Sequence, residues 1–187
     1  MAPQPKLRKI AIVGSRSVGK SSLTVQYCEG RFVESYYPTI ENTFSHEILY
    51  NTTPYLTEII DTAGQDEYSL LNSKHFIGIH GYMIVYSVAS RQSFDMVSVI
   101  REKILNQLGV DTVPMTLVGN KVDVSEKKRV VSKEEGERLA KSWGVGFVES
   151  SARDNINVAS AFDEMITQCE KGKDPDNPTG GRKCVMM

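Results

Sequence analysis

The chain has 187 residues, of which 40% are hydrophobic, and a formal net charge of −1. This length suits a single domain with a full hydrophobic core, and the balanced charge excludes the basic stripe that a nucleic-acid-binding protein needs. No apolar run is long enough for a membrane span, and residues 1–8 lack the hydrophobic region of a signal peptide. The three widely spaced cysteines match no metal motif and are typical of a protein of the reducing cytosol.

The first predicted strand leads into a glycine-bounded loop. An apolar run at 10–13 is followed by Gly14-Ser15-Arg16-Ser17-Val18-Gly19-Lys20-Ser21 and then by a helical stretch at 22–27. This order of elements is typical of a phosphate-binding loop, whose backbone N–H groups face the phosphates beside the positive end of a helix. Lys20 is expected to reach the β- and γ-phosphates and Ser21 to bind Mg²⁺. Arg16 puts a bulky cation where a small residue is expected.

The remaining strands and helices alternate along the chain. Two β-rich runs, 43–50 and 55–60, are joined by a short polar link, which predicts a hairpin and one antiparallel pair. Further elements are predicted by apolar runs at 82–86, 115–118 and 146–148, and by helical patterns at 93–108, from 132, and at 155–171. The pattern predicts a three-layer α/β P-loop NTPase with a six-stranded, mostly parallel sheet, one antiparallel strand and about five flanking helices.

The composition changes near residue 172. We expect a folded domain at 6–171 and a flexible tail at 172–187, because the tail has no apolar periodicity. The last four residues, Cys184-Val185-Met186-Met187, fit the C-a-a-X signal for prenylation of Cys184, and the terminal Met favours farnesyl. Only Arg182 and Lys183 are basic nearby, so we expect one lipid with weak electrostatic support, which gives reversible membrane anchoring.

Two motifs are expected to face the phosphates and the metal. Asp61 ends a predicted strand beside the phosphate-binding loop and is expected to hold the Mg²⁺ shell. Just after it, Gly64 can bring its N–H to the γ-phosphate, and Gln65 can orient an attacking water. Thr39, in the polar segment 36–42, supplies a second hydroxyl for Mg²⁺. That segment would be released when the γ-phosphate leaves, which predicts a switch.

Two later loops are expected to recognise the base. Asn120-Lys121-Val122-Asp123 follows one predicted strand, and Glu149-Ser150-Ser151-Ala152-Arg153 follows the last one. Guanine presents its N1–H and its exocyclic amine to one carboxylate, so Asp123 predicts selectivity over adenine of about 10⁴ or more. Asn120 is expected to tie its loop to the phosphate-binding loop, Lys121 to lie along the base, and the 149–153 loop to offer an N–H to guanine O6.

Together these motifs resemble the Ras superfamily of small GTPases over residues 6–170. The similarity is carried by the Arg16-containing loop, Pro-Thr-Ile-Glu-Asn-Thr-Phe at 38–44, Asp-Thr-Ala-Gly-Gln-Asp-Glu-Tyr-Ser at 61–69, Glu-Ser-Ser-Ala-Arg at 149–153, and the prenylation signal. The resemblance implies a monomeric GTPase with GTP or GDP and Mg²⁺, slow intrinsic turnover and a farnesyl anchor added by a prenyltransferase. It also implies that the GTP form activates the TOR kinase complex and is opposed by a tuberin-type GTPase-activating protein. The expected location is the cytoplasmic face of endomembranes (lysosome or vacuole, Golgi or ER), with a cytosolic fraction.

Motifs and resemblance together define three sets of expected site residues, besides Cys184 for the lipid. The catalytic set is Arg16, Lys20, Tyr36, Gly64 and Gln65. The Mg²⁺ ligands are Ser21, Thr39 and Asp61. The nucleotide-binding set is Ser15, Arg16, Ser17, Val18, Gly19, Lys20, Ser21, Ser22, Phe32, Val33, Glu34, Tyr36, Thr39, Gly64, Asn120, Lys121, Asp123, Ser151, Ala152 and Arg153. The pattern alone leaves Phe32 open between base stacking and core packing, and the resemblance implies stacking.

Some positions and functions stay open. Tyr37 and Arg153 replace an Asp and a Lys that are common in the family. Arg16 has three possible roles. It is a solvated surface side chain, an arginine finger in cis, or an obstruction that disturbs the attacking water and excludes the arginine finger of a partner. The resemblance favours the obstruction. Besides a switch, the alternatives are a GTP-loaded membrane adaptor with negligible hydrolysis and a P-loop nucleoside or nucleotide kinase, which leaves residues 120–123 unexplained.

Overall fold

A computed structural model of the protein describes residues 4–34, 39–64 and 77–171. The elements in chain order are β1 (Lys6–Gly14), α1 (Lys20–Glu29), β2 (Glu41–Tyr50), β3 (Thr53–Thr62), β4 (Gly81–Ser87), α2 (Arg91–Leu108), β5 (Met115–Asn120), a 3₁₀ turn (Glu126–Lys128), α3 (Lys133–Trp143), β6 (Gly146–Glu149) and α4 (Val158–Lys171). No helix within these ranges has the length and apolar character needed to cross a membrane. The predicted tail lies outside them, so the boundary after residue 171 stays a prediction.

The six predicted strands form one sheet in the order β2-β3-β1-β4-β5-β6. Neighbouring strands pair in parallel except β2 and β3, which pair antiparallel. The hairpin between these two turns at Asn51 and Thr52, whose positive φ angles (47° and 64°) are those that two-residue hairpin turns favour. The predicted sheet is confirmed. Since its parallel strands end at one edge, the loops that follow β1, β3, β5 and β6 gather there.

Alternate residues of the central strands supply two core layers. On β1, Ile10 and Ile12 belong to the cluster that includes α1 and α4, whereas Ala11 and Val13 belong to the cluster that includes α2 and α3. Every residue of β4 is buried, as expected of a parallel strand covered on both faces. The described helices therefore lie on both sides of the sheet and form a three-layer frame beneath the loops.

Side-chain caps define where two helices begin. α2 starts at Arg91, two residues before the predicted start, because the Ser90 hydroxyl accepts the Ser93 N–H at 3.2 Å. The capping box predicted for α3 is confirmed. Ser132 accepts the Glu135 N–H at 3.3 Å, and the Glu135 carboxylate accepts the Ser132 N–H at 2.9 Å.

α4 begins at Val158 and not at residue 155, so the predicted start was wrong by three residues. Ser151 and Ile156 exchange two backbone hydrogen bonds, which closes a tight loop before the helix. Asn155 and Asn157 have positive φ angles of 54° and 52°, a conformation that a right-handed helix cannot contain. The apolar periodicity of this stretch was correct, but the loop closure was not visible in it.

Candidate functional site

The phosphate-binding loop connects β1 to α1. Gly19 has a φ of +97°, and a Cβ at this position would collide with the Asn120 side chain. This bend therefore requires glycine. α1 begins at Lys20 without a side-chain cap, so the positive end of the helix faces the loop. The loop has the form of an anion-binding site at a helix N-terminus.

Lys20 is buried inside this loop. Its Nζ donates hydrogen bonds of 2.9 Å to the backbone oxygens of Gly14 and Ser15. Burial lowers the pKa of the Lys20 ammonium to about 8, and the Asp61 carboxylate opposes this shift. The backbone oxygens therefore hold a single cationic group within the loop, where a bound phosphate would supply a strong opposite charge.

The three side chains predicted to hold Mg²⁺ converge beside Lys20. Ser21 Oγ and Thr39 Oγ1 are 2.7 Å apart. Asp61 is buried, and neither carboxylate oxygen has a hydrogen-bond partner among the described residues. Burial raises the pKa of the Asp61 carboxyl, while Ser21 and Lys20 act in the opposite direction. Two hydroxyls and a buried carboxylate with unused oxygens are hard donors, so the residues present fit Mg²⁺.

Asn120 joins the phosphate end of the site to the base end. Its Nδ2 donates to the Val18 backbone oxygen at 2.9 Å. Its Oδ1 accepts the Ala152 N–H at 3.2 Å and the Ser150 hydroxyl at 3.3 Å. The Asn120 side chain is buried, so water competes little for these bonds. Three loops are thereby held together through one amide, as the sequence predicted for two of them.

Asp123 is held by the loop that follows β6. Its Oδ1 accepts the Ser151 hydroxyl at 2.7 Å, and the Ser151 hydroxyl accepts the Asp154 N–H at 3.0 Å. Lys121 has a φ of +70°, a conformation that side-chain-bearing residues rarely adopt, so the backbone between Asn120 and Asp123 is constrained. Ser151, which was predicted only to contact nucleotide, also orients the carboxylate expected to recognise the base.

Gly64 lies directly against Arg16. A Cβ at Gly64 would lie 2.6 Å from Arg16 Cα and 2.8 Å from its backbone nitrogen, so only glycine fits. Arg16 itself is exposed. The phosphate-binding loop and the segment after β3 are therefore in backbone contact at the position from which the chain continues to Gln65.

The other predicted site residues are placed in part. Phe32 and Val33 are 37% and 39% exposed, which excludes the core-packing interpretation of Phe32. Ser22 lies in the first turn of α1, while Glu34, Ser17 and Arg153 are exposed. The predictions that fall outside the described residues are those for Tyr36, Tyr37, Gln65 and Cys184.

Residues that the sequence motifs did not predict also hold the base-recognition loops. Ser150 donates to Asn120, Arg129 forms an ion pair with Glu149, and Asn157 Nδ2 donates to the Glu149 backbone oxygen at 2.9 Å. Ser150 could have been found, because it stands inside a motif already selected. No sequence pattern signals Arg129 or Asn157, because the fold alone brings them to Glu149.

Comparisons with known proteins agree with this geometry. A sequence model of the Ras family matches residues 9–171. The chain is 65% identical to the small monomeric GTPase RhbA of Aspergillus fumigatus over 187 residues, and 59% identical to the GTP-binding protein rhb1 of Schizosaccharomyces pombe over 186 residues, in both cases over the full length of each protein. It is 49% identical to the human GTP-binding protein Rheb over 185 residues, which are 99% of this chain and 100% of the human protein.

These matches confirm the fold and the predicted resemblance to the Ras superfamily. They also exclude the nucleoside kinase alternative, because the whole described domain is matched by a GTPase family. The protein binds GTP or GDP with Mg²⁺ and hydrolyses GTP. It belongs to the Ras family of small GTPases, in which its full-length relatives are the Rheb proteins.

Proposed function

We propose that this GTPase is a lipid-anchored switch that hydrolyses GTP slowly and, in its GTP form, activates the TOR kinase complex. The observation that carries slow hydrolysis is the packing of Arg16 against Gly64, in which Cγ of the Arg16 side chain lies directly beside the Gly64 backbone. The names of the relatives specify GTP binding or GTPase activity only. The effector is therefore proposed from the resemblance of the motifs.

The switch would depend on two contacts to the γ-phosphate end of GTP. Thr39 joins the segment before β2 to Ser21 across a 2.7 Å contact between hydroxyls, and Gly64 directs its N–H to the γ-phosphate. Loss of that phosphate releases both segments, which changes the surface that a partner recognises. Bound Mg²⁺, held by Ser21, Thr39 and Asp61, supplies charge neutralisation to the β- and γ-phosphates.

Recognition of guanine would come from the two loops joined by Asn120. Asp123 would accept hydrogen bonds from the N1–H and the exocyclic amine of guanine. The Ala152 N–H, which donates to Asn120 Oδ1 at 3.2 Å in the structure, would turn toward guanine O6. Lys121 lies along one face of the base, and the exposed Phe32 stacks on it. Adenine would leave the Asp123 carboxylate unpaired, and this gives the discrimination.

Slow hydrolysis would follow from the position of Arg16. Lys20 and the loop N–H groups stabilise the charge that develops on the phosphoryl group, and Gln65, or Tyr36 beside the switch, positions the water. Arg16 meets the backbone at Gly64, one residue before Gln65. A bulky cation there disturbs the water and excludes an arginine finger from a partner. A tuberin-type activating protein would therefore use another residue.

Membrane attachment would determine where in the cell the GTP form acts. A prenyltransferase adds farnesyl to Cys184, and the single lipid gives reversible anchoring to the cytoplasmic face of endomembranes, with a monomeric, partly cytosolic protein. This arrangement brings the GTP form to membranes where the TOR kinase complex is recruited.

The central test is single-turnover GTP hydrolysis by Arg16→Gly and by Arg16→Lys. We expect Arg16→Gly to hydrolyse GTP faster than the wild type, by about tenfold, since one tenfold step corresponds to about 1.4 kcal/mol in the barrier. Arg16→Lys keeps the charge and most of the bulk, so it should stay slow. If Arg16→Gly is no faster than the wild type, the obstruction by Arg16 is wrong.

The adaptor alternative is separated from the switch by the nucleotide bound in cells. The GTP-bound fraction of the full chain would be measured with and without a tuberin-type activating domain. A fall of this fraction when the activating domain is expressed supports the switch. A GTP fraction that does not change supports a GTP-loaded membrane adaptor.

A further inference from the structure

The ion pair between Arg129 and Glu149 stands directly behind the base-recognition loops. Glu149 is the last residue of β6, and the residues after it are those that contact Asn120 and Asp123. The Glu149 side chain is 12% exposed and that of Arg129 is 27% exposed. A carboxylate this well buried depends on its partner, because desolvation destabilises its charged form.

Arg129 is itself fixed to the loop that carries Asp123. Its Nε donates to the Val131 backbone oxygen at 2.9 Å, and its backbone N–H is directed at Ser125 and Glu126 at 3.2 Å each. The carbonyls of Ser125 and Glu126 belong to the 3₁₀ turn and its cap, and the turn begins at Glu126, only three residues after Asp123. The Arg129 guanidinium therefore connects the turn after the 120–123 loop to Glu149, the first residue of the 149–153 loop.

Glu149 is held at its backbone as well as at its side chain. Asn157 Nδ2 donates to the Glu149 backbone oxygen at 2.9 Å, and the Ser151–Ile156 bridge closes the loop between these two residues. From the loop that carries Asp123, the Val122 N–H donates to the Ser150 backbone oxygen at 3.1 Å. A displacement of Glu149 would therefore be passed on to Ser150 and Ser151.

We propose that the Arg129–Glu149 ion pair positions the two base-recognition loops and so sets the selectivity for guanine and the rate of nucleotide release. The inference rests on the base contacts proposed above for Asp123 and Ala152. Arg129 and Glu149 are positioning residues, since they act through Ser151 on the Asp123 carboxylate. Loss of the pair frees the end of β6 and misaligns Asp123 with the guanine amine.

The test compares the full-length wild type with Arg129→Gln, Glu149→Gln and the double variant. GDP release and the affinities for GDP and for inosine diphosphate, which lacks the exocyclic amine, would be measured at saturating Mg²⁺. We expect each single variant to release GDP roughly 2- to 30-fold faster and to prefer GDP over inosine diphosphate less strongly than the wild type does. The double variant should be no worse than the worse single variant, because both remove one interaction.

Arg8→Gln is the matched control for lost stability. Arg8 forms an equally buried ion pair with Glu170, at 2.6 Å, near the start of β1 and away from the strand ends that carry the site. Arg8→Gln should lower the unfolding midpoint and leave the preference for GDP over inosine diphosphate unchanged. The inference is overturned if Arg129→Gln keeps the wild-type preference, if Arg8→Gln weakens the preference equally, or if the single-variant effects add.

A separate variant tests the base contacts on which the inference rests. Xanthine carries an oxygen where guanine carries the exocyclic amine, and an Asn amide can donate to that oxygen. Asp123→Asn should therefore prefer xanthosine diphosphate to GDP. If it does not, the proposed base recognition is wrong. If Asp123→Asn prefers xanthosine diphosphate but Arg129→Gln keeps the wild-type preference for GDP over inosine diphosphate, only the positioning role is wrong.

Discussion

Gly64 and Arg16 place the segment after β3 directly against the phosphate-binding loop. A Cβ at Gly64 would meet the Arg16 Cα and backbone nitrogen as well as the side-chain Cγ, so a change of the Arg16 rotamer alone cannot make room for it. The Arg16 backbone has no positive φ angle, and what makes the residue unusual is its bulk and charge at a position that packs against a glycine. The chemistry at this point therefore depends on a residue that brings no side chain.

At the residue scale, we predict that Gly64→Ala selectively weakens GTP binding. The added Cβ would lie 2.6 Å from Arg16 Cα, so the segment has to move and its N–H leaves the γ-phosphate. A hydrogen bond to a charged group contributes about 1.5–3 kcal/mol, which corresponds to about a 10- to 100-fold loss of affinity. Dissociation constants for GDP and for a non-hydrolysable GTP analogue would be measured by competition.

The control for this prediction is Gly109→Ala. Gly109 has a φ of +65°, which a side-chain-bearing residue adopts only with strain, but a Cβ there meets nothing within 4 Å, and the residue caps the end of α2. Gly109→Ala should lower the free energy of unfolding without changing the ratio of the affinities for GDP and for the GTP analogue. An equal loss of GDP and GTP affinity in Gly64→Ala would contradict the prediction.

At the scale of single elements, α3 is stabilised by contacts of two origins. Its capping box joins residues that are neighbours in the sequence and was predicted from them. The second contact is the bidentate ion pair of Glu135 with Arg91 of α2, at 2.8 and 3.1 Å. The Glu135 carboxylate therefore caps α3 and joins it to the preceding helix, α2, and its charge matters to both contacts.

We predict that the stabilising effect of Glu135 depends on pH in the acid range. The Arg91 guanidinium and then the Ser132 N–H hold the pKa of Glu135 at about 2, below its ordinary value of 4.5. A lowered pKa in the folded state means that the contribution is complete above pH 4.5 and is lost as the pH falls toward 2. The difference in urea midpoint between wild type and Glu135→Gln should therefore shrink between pH 6 and pH 3.

Glu137→Gln serves as the comparison on the same helix. Glu137 forms an exposed pair with Lys133 at 3.5 Å, and pairs of this kind contribute little. Its replacement should change the midpoint less than Glu135→Gln does at pH 6. A Glu135→Gln difference that stays constant down to pH 3 would show that the charge is not what stabilises this contact.

At the scale of the whole molecule, the sheet has a core layer on each of its two faces. On one side Phe162 of α4 stacks on Tyr27 of α1, with ring centroids 3.9 Å apart and planes within 9°. Tyr27 lies seven residues after the start of α1 at Lys20, so the same helix that is packed here presents the phosphate-binding loop at its other end. Packing and nucleotide binding are therefore coupled through α1.

We predict that Phe162→Ala lowers the free energy of unfolding by about 3–5 kcal/mol, because a fully buried aromatic ring leaves a cavity. Urea denaturation of the GDP-bound protein measures this free energy of unfolding. Leu49, at 73% exposure on β2, is the control, and Leu49→Ala should change the same quantity by less than about 0.5 kcal/mol. Similar losses for both variants would contradict the assignment of the core.

The order of strands and helices, the hairpin and the α3 capping box were predictable because each depends on residues close together in the chain. The candidate Mg²⁺ ligands were predictable for a different reason. Asp61 lies at the end of β3, Thr39 lies just before β2, and Ser21 lies in α1 directly after the phosphate-binding loop. Parallel strands bring such segments to one edge of the sheet. The start of α4 was not predictable, because the bridge from Ser151 to Ile156 overrides a helical pattern.

The sequence by itself therefore determined the fold class, the nucleotide chemistry and the family, since motifs at strand ends carry these locally. Only the tertiary structure decided how the motifs are held. The Ser21–Thr39 contact, the bonds of Asn120 to two loops and the Arg129–Glu149 pair join distant segments. Such contacts depend on packing of the whole chain, and no local spacing encodes them.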